Sequence, residues 1–155
     1  MSDERYLKHQ MQPCPVSCVC TSLAIIIGID ASAVIEKYHQ GYRDGSVAER
    51  TILEDHGVPF TTFDSLDGGS LEHVGAYLIT APSLNITGGT HQIVIEVTED
   101  DYHVIDPVMG REGRCYYVKR GYVSNDLERE LGGFTVNAFI PLSYIARGKG
   151  PKSDG

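Results

Sequence analysis

A cysteine becomes a nucleophile when its surroundings favour the thiolate, and the stretch Gln12-Pro13-Cys14-Pro15-Val16-Ser17-Cys18 leads into such surroundings. Pro13 and Pro15 remove backbone donors and keep the approach extended, while the apolar run after Cys18 reads as a buried helix stopped by a left-handed Gly28. Cys18 is thereby predicted in the first turn of that helix. Unpaired N–H groups and the positive dipole end favour thiolate over thiol there. Gln12 can place a side-chain amide beside the sulfur and, with the backbone N–H of Cys18, form a two-donor oxyanion hole.

A second pair comes from the other half of the chain. His91, Ile93, Ile95 and Val97 alternate with Gln92, Val94 and Glu96, then Glu99-Asp100-Asp101 turns the chain and Tyr102 to Asp106 returns. Such a hairpin sets positions near 91 opposite positions near 108, so His91 and Asp106 are expected at the same end of the two strands. An imidazole held by a carboxylate at one nitrogen keeps the other for proton exchange with a thiol, which is the logic of nucleophile, base and orienter. The chemistry predicted is acyl transfer: Cys18 attacks a carboxamide carbonyl and a thioester is hydrolysed.

Each piece has a plainer reading. A cysteine at a helix start more often packs as a small core residue, and a lone strand histidine is more often structural. Cys14, Cys18 and Cys20 with His9 or Cys115 form an alternative zinc set, although paired Cys-x-x-Cys knuckles are absent and Cys20 falls inside the helix. A Cys14–Cys18 redox dithiol is a further alternative. The favoured reading has no metal and no cofactor. His9, His39, His56, His73 and His103 are assigned as structural or solvent-facing, with His103 the main rival to His91.

The elements that must position these groups follow from the rest of the pattern. The 155 residues fit one domain, with residues 1–11 a loose polar lead-in, 12–145 the folded body and 146–155 a flexible tail. Asp30 or Ser32 is predicted to cap a second helix through Val34, Ile35 and Tyr38 that stops near Gly41. Ser46 is predicted to cap a third that ends at Gly57. Pro59 to Phe63 reads as a short strand, and Asp67-Gly68-Gly69-Ser70 as a break before a short helix through Leu71, Val74 and Leu78. Beyond the hairpin, Pro107 to Gly113 is a loop, and Cys115 to Lys119 and Phe134 to Leu142 are strands. Ser124 to Glu130 between them is a short helix or an exposed loop. Helices first and antiparallel strands second predict an α+β fold in two layers.

A net charge of -8 argues against a nucleic-acid partner and points to a neutral or basic one. The apolar run from Val19 to Ile29 is too short to span a membrane, and no cleavable signal is evident, so the chain is expected to fold in a reducing cytosol where it is made.

At these residues the sequence resembles a family. Gln12 to Gly28, Gly89-Thr90-His91-Gln92-Ile93-Val94-Ile95 and Val104-Ile105-Asp106-Pro107-Val108-Met109-Gly110 are similar to the papain-like peptidase domains, peptidase C39-like, that process bacteriocin leader peptides at double glycines. The resemblance runs from about residue 6 to about residue 145. It implies a papain-like fold, Cys18 as nucleophile, His91 as base, Asp106 as orienter, Gln12 in the oxyanion hole, and a protein or peptide substrate. That family commonly has an acidic residue and a glycine flanking the cysteine, where this chain has Ser17 and Val19. The chain also resembles papain-fold glutamine deamidase effectors and toxins. That likeness implies a host target or an immunity protein as partner, and export by a route that needs no signal peptide. A peptidase and a side-chain deamidase therefore stand as the two enzymatic readings. A catalytically inert binding or zinc domain is the third.

Overall fold

The computed structural model describes residues 5–14, 17–62, 71 and 73–147. The most apolar stretch forms helix α1 (Cys18–Ile27), buried from Val19 to Ile27. A helix apolar all round is stable only when surrounded. Helices α2 (Ala31–Asp44) and α3 (Glu49–Asp55) and the sheet enclose it. Leu23, Ile25, Ile26 and Ile27 are each 2% exposed or less, and burial on that scale is worth about 1.5–3 kcal/mol per side chain. Gly28 stops the helix as expected, with φ 90° and its N–H returned to the Ala24 carbonyl at 2.8 Å.

The strands are β1 (Thr61–Thr62), β2 (Gly75–Pro82), β3 (Thr90–Val97), β4 (Tyr102–Ile105), β5 (Tyr116–Val118), β6 (Glu128–Glu130) and β7 (Thr135–Pro141), which the short helix α4 (Leu142–Ile145) follows. Five of them make one antiparallel sheet in the order β1-β7-β2-β3-β4, and β5 and β6 pair in parallel as a separate ribbon. The α+β class is therefore as the sequence predicts. Ala76, Leu78, Val94, Ala138 and Ile140 face the helices, whereas Tyr77, Ile79, Ile93, Ile95 and Val136 pack with Tyr117 and Leu131 from the ribbon side. Both faces of the sheet are covered. The Ser22 hydroxyl, donated to the Gln92 carbonyl at 3.0 Å, pins α1 to β3 one residue from His91.

Several expectations are corrected. The helix expected through Leu71, Val74 and Leu78 is absent from the described residues: Gly75 onward is β2, a central strand buried on both faces, so its apolar run shows no alternation. Helix α2 does not stop at Gly41 but runs to Asp44, with Gly45 as the left-handed stop at φ 88°. Gly41 instead admits Val47, whose Cγ2 lies 2.6 Å from where a Cβ would be. Ser46 does not cap the third helix, whose N-cap is Ala48; its hydroxyl donates back to the Gly41 carbonyl at 3.3 Å. Ser124 to Glu130 is neither helix nor simple loop, because Glu128–Glu130 is β6. Residues 5–11 are not loose. The N–H groups of Tyr6 and Leu7 donate to the buried Glu96 carboxylate at 2.6 and 3.4 Å, and the Gln10 amide bridges the Ile29 carbonyl and the Ala31 N–H, both at 2.7 Å. Arg147, expected in a mobile tail, donates to the Ile27 carbonyl at 2.9 Å and stacks on Tyr144. The break at Asp67-Gly68-Gly69-Ser70 and the tail beyond Arg147 lie outside the described residues.

Candidate active site

Cys18 is the first residue of α1, preceded by Ser17 as N-cap. An N1 residue has no carbonyl one turn back, so its N–H and those after it point out of the helix end. Ser17 ties off the approach: its hydroxyl donates to the Cys14 carbonyl at 3.0 Å and accepts from the Cys14 N–H at 3.3 Å.

Strands β3 and β4 supply the other two groups. Their last ladder pair is Val94 with Ile105, so the next step of the register sets position 106 on the same side as Ile93 and, two residues back, His91. His91 Nε2–H donates to Asp106 Oδ1 at 2.6 Å. Cys18 lines the same cleft beside this ring and favours its charged form, so the imidazole sits between sulfur and carboxylate. Burial acts most strongly on His91 and opposes its charged form. The hydrogen bonds and charges of Asp106 and Cys18 outweigh burial and hold the ring up at about 9.

Asp106 is itself only 2% exposed. Its Oδ1 also accepts the Val108 N–H at 3.0 Å, its Oδ2 accepts the Tyr117 N–H at 2.8 Å, and its backbone carbonyl accepts His9 Nε2–H at 3.0 Å. A buried carboxylate met by three donors has its geometry fixed and its charge balanced.

Gln12 is fully buried beside this loop. Its backbone N–H donates to the Pro107 carbonyl at 2.7 Å, and its amide nitrogen donates one hydrogen to the Cys14 carbonyl at 2.8 Å. Its Oε1 has no partner among the described residues. One amide hydrogen is thus committed to the cysteine loop, and Gln12 does not line the cleft in which Cys18 and His91 lie.

That cleft spans about 400 Å³ when the open solvent at its mouth is included. Its walls are the β2–β3 loop, through Ser83, Asn85 and Ile86, and the loop after Asp106, through Val108, Arg111 and Arg114. Asn85 stitches the two walls: its amide donates to the Cys115 carbonyl and its oxygen accepts the Cys115 N–H, both at 2.9 Å.

The remaining thiols differ in setting. Burial, followed by the neighbouring Cys18 and Cys14, pushes the Cys20 thiol up to about 11. All four cysteines are free thiols, and among the described residues no group of three or more His, Cys, Asp and Glu is arranged to hold a metal. His103 pairs with Glu96 along the β3–β4 ladder and does not line the cleft. No helix among the described residues is long and apolar enough to cross a membrane.

Sequence reasoning missed His9, Val108, Tyr117, Arg111 and Arg114. The first three act on Asp106 through contacts made only once distant segments meet. The arginines carried a visible signal, a cationic pair close behind Asp106; Arg111 was read only as part of the Pro107 to Gly113 loop, and Arg114 was given no element. Compared with protein-family models, with curated proteins and with solved structures, the chain has no match in any of the three.

Proposed function

We propose that the chain is a cysteine-dependent hydrolase of carboxamides with a papain-like arrangement, acting as a peptidase. The observation that carries this reading is the single imidazole of His91, hydrogen-bonded to Asp106 and set beside Cys18 in one cleft. In this reading the Cys18 thiolate adds to the substrate carbonyl, and the oxyanion is held by the backbone N–H of Cys18 at the start of α1, with Gln12, buried off the cleft, holding the cysteine loop in place. The His91 imidazolium passes its proton to the leaving nitrogen, the C–N bond breaks and a thioester remains. His91, now neutral, takes a proton from water as the water attacks the thioester. The carboxylic product leaves, and the thiolate–imidazolium pair is restored.

The test is selective alkylation followed by turnover. Iodoacetamide at pH 6 is expected to modify Cys18 about tenfold faster than Cys14 or Cys115, with the advantage lost in His91→Ala. Equal, slow labelling of all four thiols sinks the proposal. With blocked peptide mixtures, intact mass then separates two outcomes: cleavage splits the chain, whereas deamidation adds about one dalton and would replace peptidase by glutamine deamidase. Cys18→Ala abolishes either product.

A further inference from the structure

The cleft is electrically at odds with the rest of the chain. The protein carries 21 acidic against 13 basic residues, yet among the described residues two of the nine lining the space around Cys18 are arginines and none is an Asp or Glu. The acid between them in sequence, Glu112, is exposed and does not line the cleft. Neither arginine has a carboxylate within ion-pair distance among the described residues. Arg111 gives one hydrogen to the Gln12 carbonyl at 3.3 Å, and no hydrogen bond of the Arg114 side chain is present among the described residues.

Their placement is fixed by the backbone. The Met109 N–H donates to the Asp106 carbonyl, the Arg111 N–H to Val108 and the Arg114 N–H to Arg111, at 3.0, 3.0 and 3.2 Å. Gly110 and Gly113 take φ of 102° and 72°, which lets these turns follow one another and sets both arginines on the cleft wall. The Asn85–Cys115 pair holds the next residue on both its N–H and its carbonyl. A guanidinium offers several donors in a fixed fork suited to carboxylates.

The geometry points to a carboxylate-recognition subsite: Arg111 and Arg114 hold a substrate carboxylate next to the carbonyl presented to Cys18. The substrate class is thus a carboxamide flanked by an acidic group, either a Glu or Asp side chain or a chain-terminal carboxylate. The neutral or basic partner expected from overall charge does not describe what this cleft selects. The inference rests on Cys18 being the nucleophile.

Two alkylating agents of nearly equal size test it without a known substrate, because iodoacetate carries the carboxylate and iodoacetamide does not. Relative to N-acetylcysteine amide in the same buffer, Cys18 is expected to favour iodoacetate over iodoacetamide by about tenfold, a preference that falls on adding salt. Arg114→Gln reduces the preference about threefold or more, Arg114→Lys keeps it, and the Arg111→Gln, Arg114→Gln double variant removes it. A wild-type preference equal to that of the small thiol, untouched by salt, overturns the subsite. Slow reaction of Cys18 with iodoacetamide itself sinks the hydrolase reading instead, so the two failures are told apart. The source of the carboxylate is then assigned by protection from iodoacetamide. Acetyl-Gly-Glu-Gly-amide protects if a side chain is read, and acetyl-Gly-Gly-Gly free acid protects if a chain end is read. Acetyl-Gly-Gln-Gly-amide protecting as well as both, or neither acid protecting, overturns the inference.

Discussion

Three N–H donors converge on the two oxygens of Asp106: His91 and Val108 on one, Tyr117 on the other. An amide at this position keeps one acceptor oxygen and turns an NH2 group toward a donor. Asp106→Asn is therefore expected to cost about 1–3 kcal/mol in urea unfolding, and to bring the NMR titration midpoint of His91 down from about 9 toward 6.5. A midpoint that stays high means that something other than the carboxylate holds the charge. The same shift makes stability depend on pH. Because the folded value lies above the unfolded 6.5, the stabilisation is complete below 6.5 and is lost as pH rises through about 9. A rise of that size is worth about 3 kcal/mol, and His91→Gln should flatten the unfolding free energy across this window. The pairing of His91 with Asp106 was legible because strand period and turn position fix which residues share an end. The donors Val108 and Tyr117 and the bond from His9 were not, since each depends on where a loop or a remote segment returns.

Glycines separate what the sequence could and could not say about the elements. Gly28 was read correctly because a long apolar run ends there, and left-handed backbone is the cheapest way to stop it. Gly41 was misread as a stop, since a glycine that admits a neighbour looks the same in sequence as one that ends a helix. Gly75 opens β2 at φ 151°, where a Cβ would stand 2.5 Å from the Ile140 carbonyl and 2.8 Å from the Phe139 ring. At Gly41 the obstacle is one methyl of Val47, in a loop, and Ala gains about 1 kcal/mol of helix propensity in return. Gly75→Ala is thus expected to lose more than about 2 kcal/mol in thermal or urea unfolding, with Gly41→Ala costing clearly less. The reverse order would mean that the β2–β7 edge yields more easily than the α2 turn. β2 itself escaped detection because its buried positions on both faces are mostly apolar, whereas β3, equally buried, keeps Gln92 and Glu96 on one face and so alternates; a short apolar run without alternation reads equally as helix.

Across the whole molecule the unexpected feature is the N-terminal strap. Composition marked residues 5–11 as solvent-borne, and hydrogen bonding overrides that: polar side chains here are cross-links rather than a hydration shell. His9 reaches the Asp106 carbonyl, Gln10 reaches the start of α2, and the Gln12 N–H reaches Pro107, so the strap laces the helical layer to the loop that carries Asp106. Its far end depends on Glu96, 1% exposed, whose carboxylate accepts from Tyr6 and Leu7 and faces Arg5 at 3.6 Å. Glu96→Gln keeps the size but leaves one acceptor where two are used. A loss of about 1.4 kcal/mol in strap docking corresponds to about a tenfold rise in its open population. Trypsin cleavage after the exposed Lys8 should then rise about tenfold while opening is fast relative to cleavage, with far less change at sites in α2. If strap docking also fixes the site, amide exchange at Val108, which bonds to Asp106, rises in parallel. Faster cleavage with unchanged exchange at Val108 would separate the strap from the site. Unchanged cleavage would show that the bonds of His9, Gln10 and Gln12 hold it without Glu96.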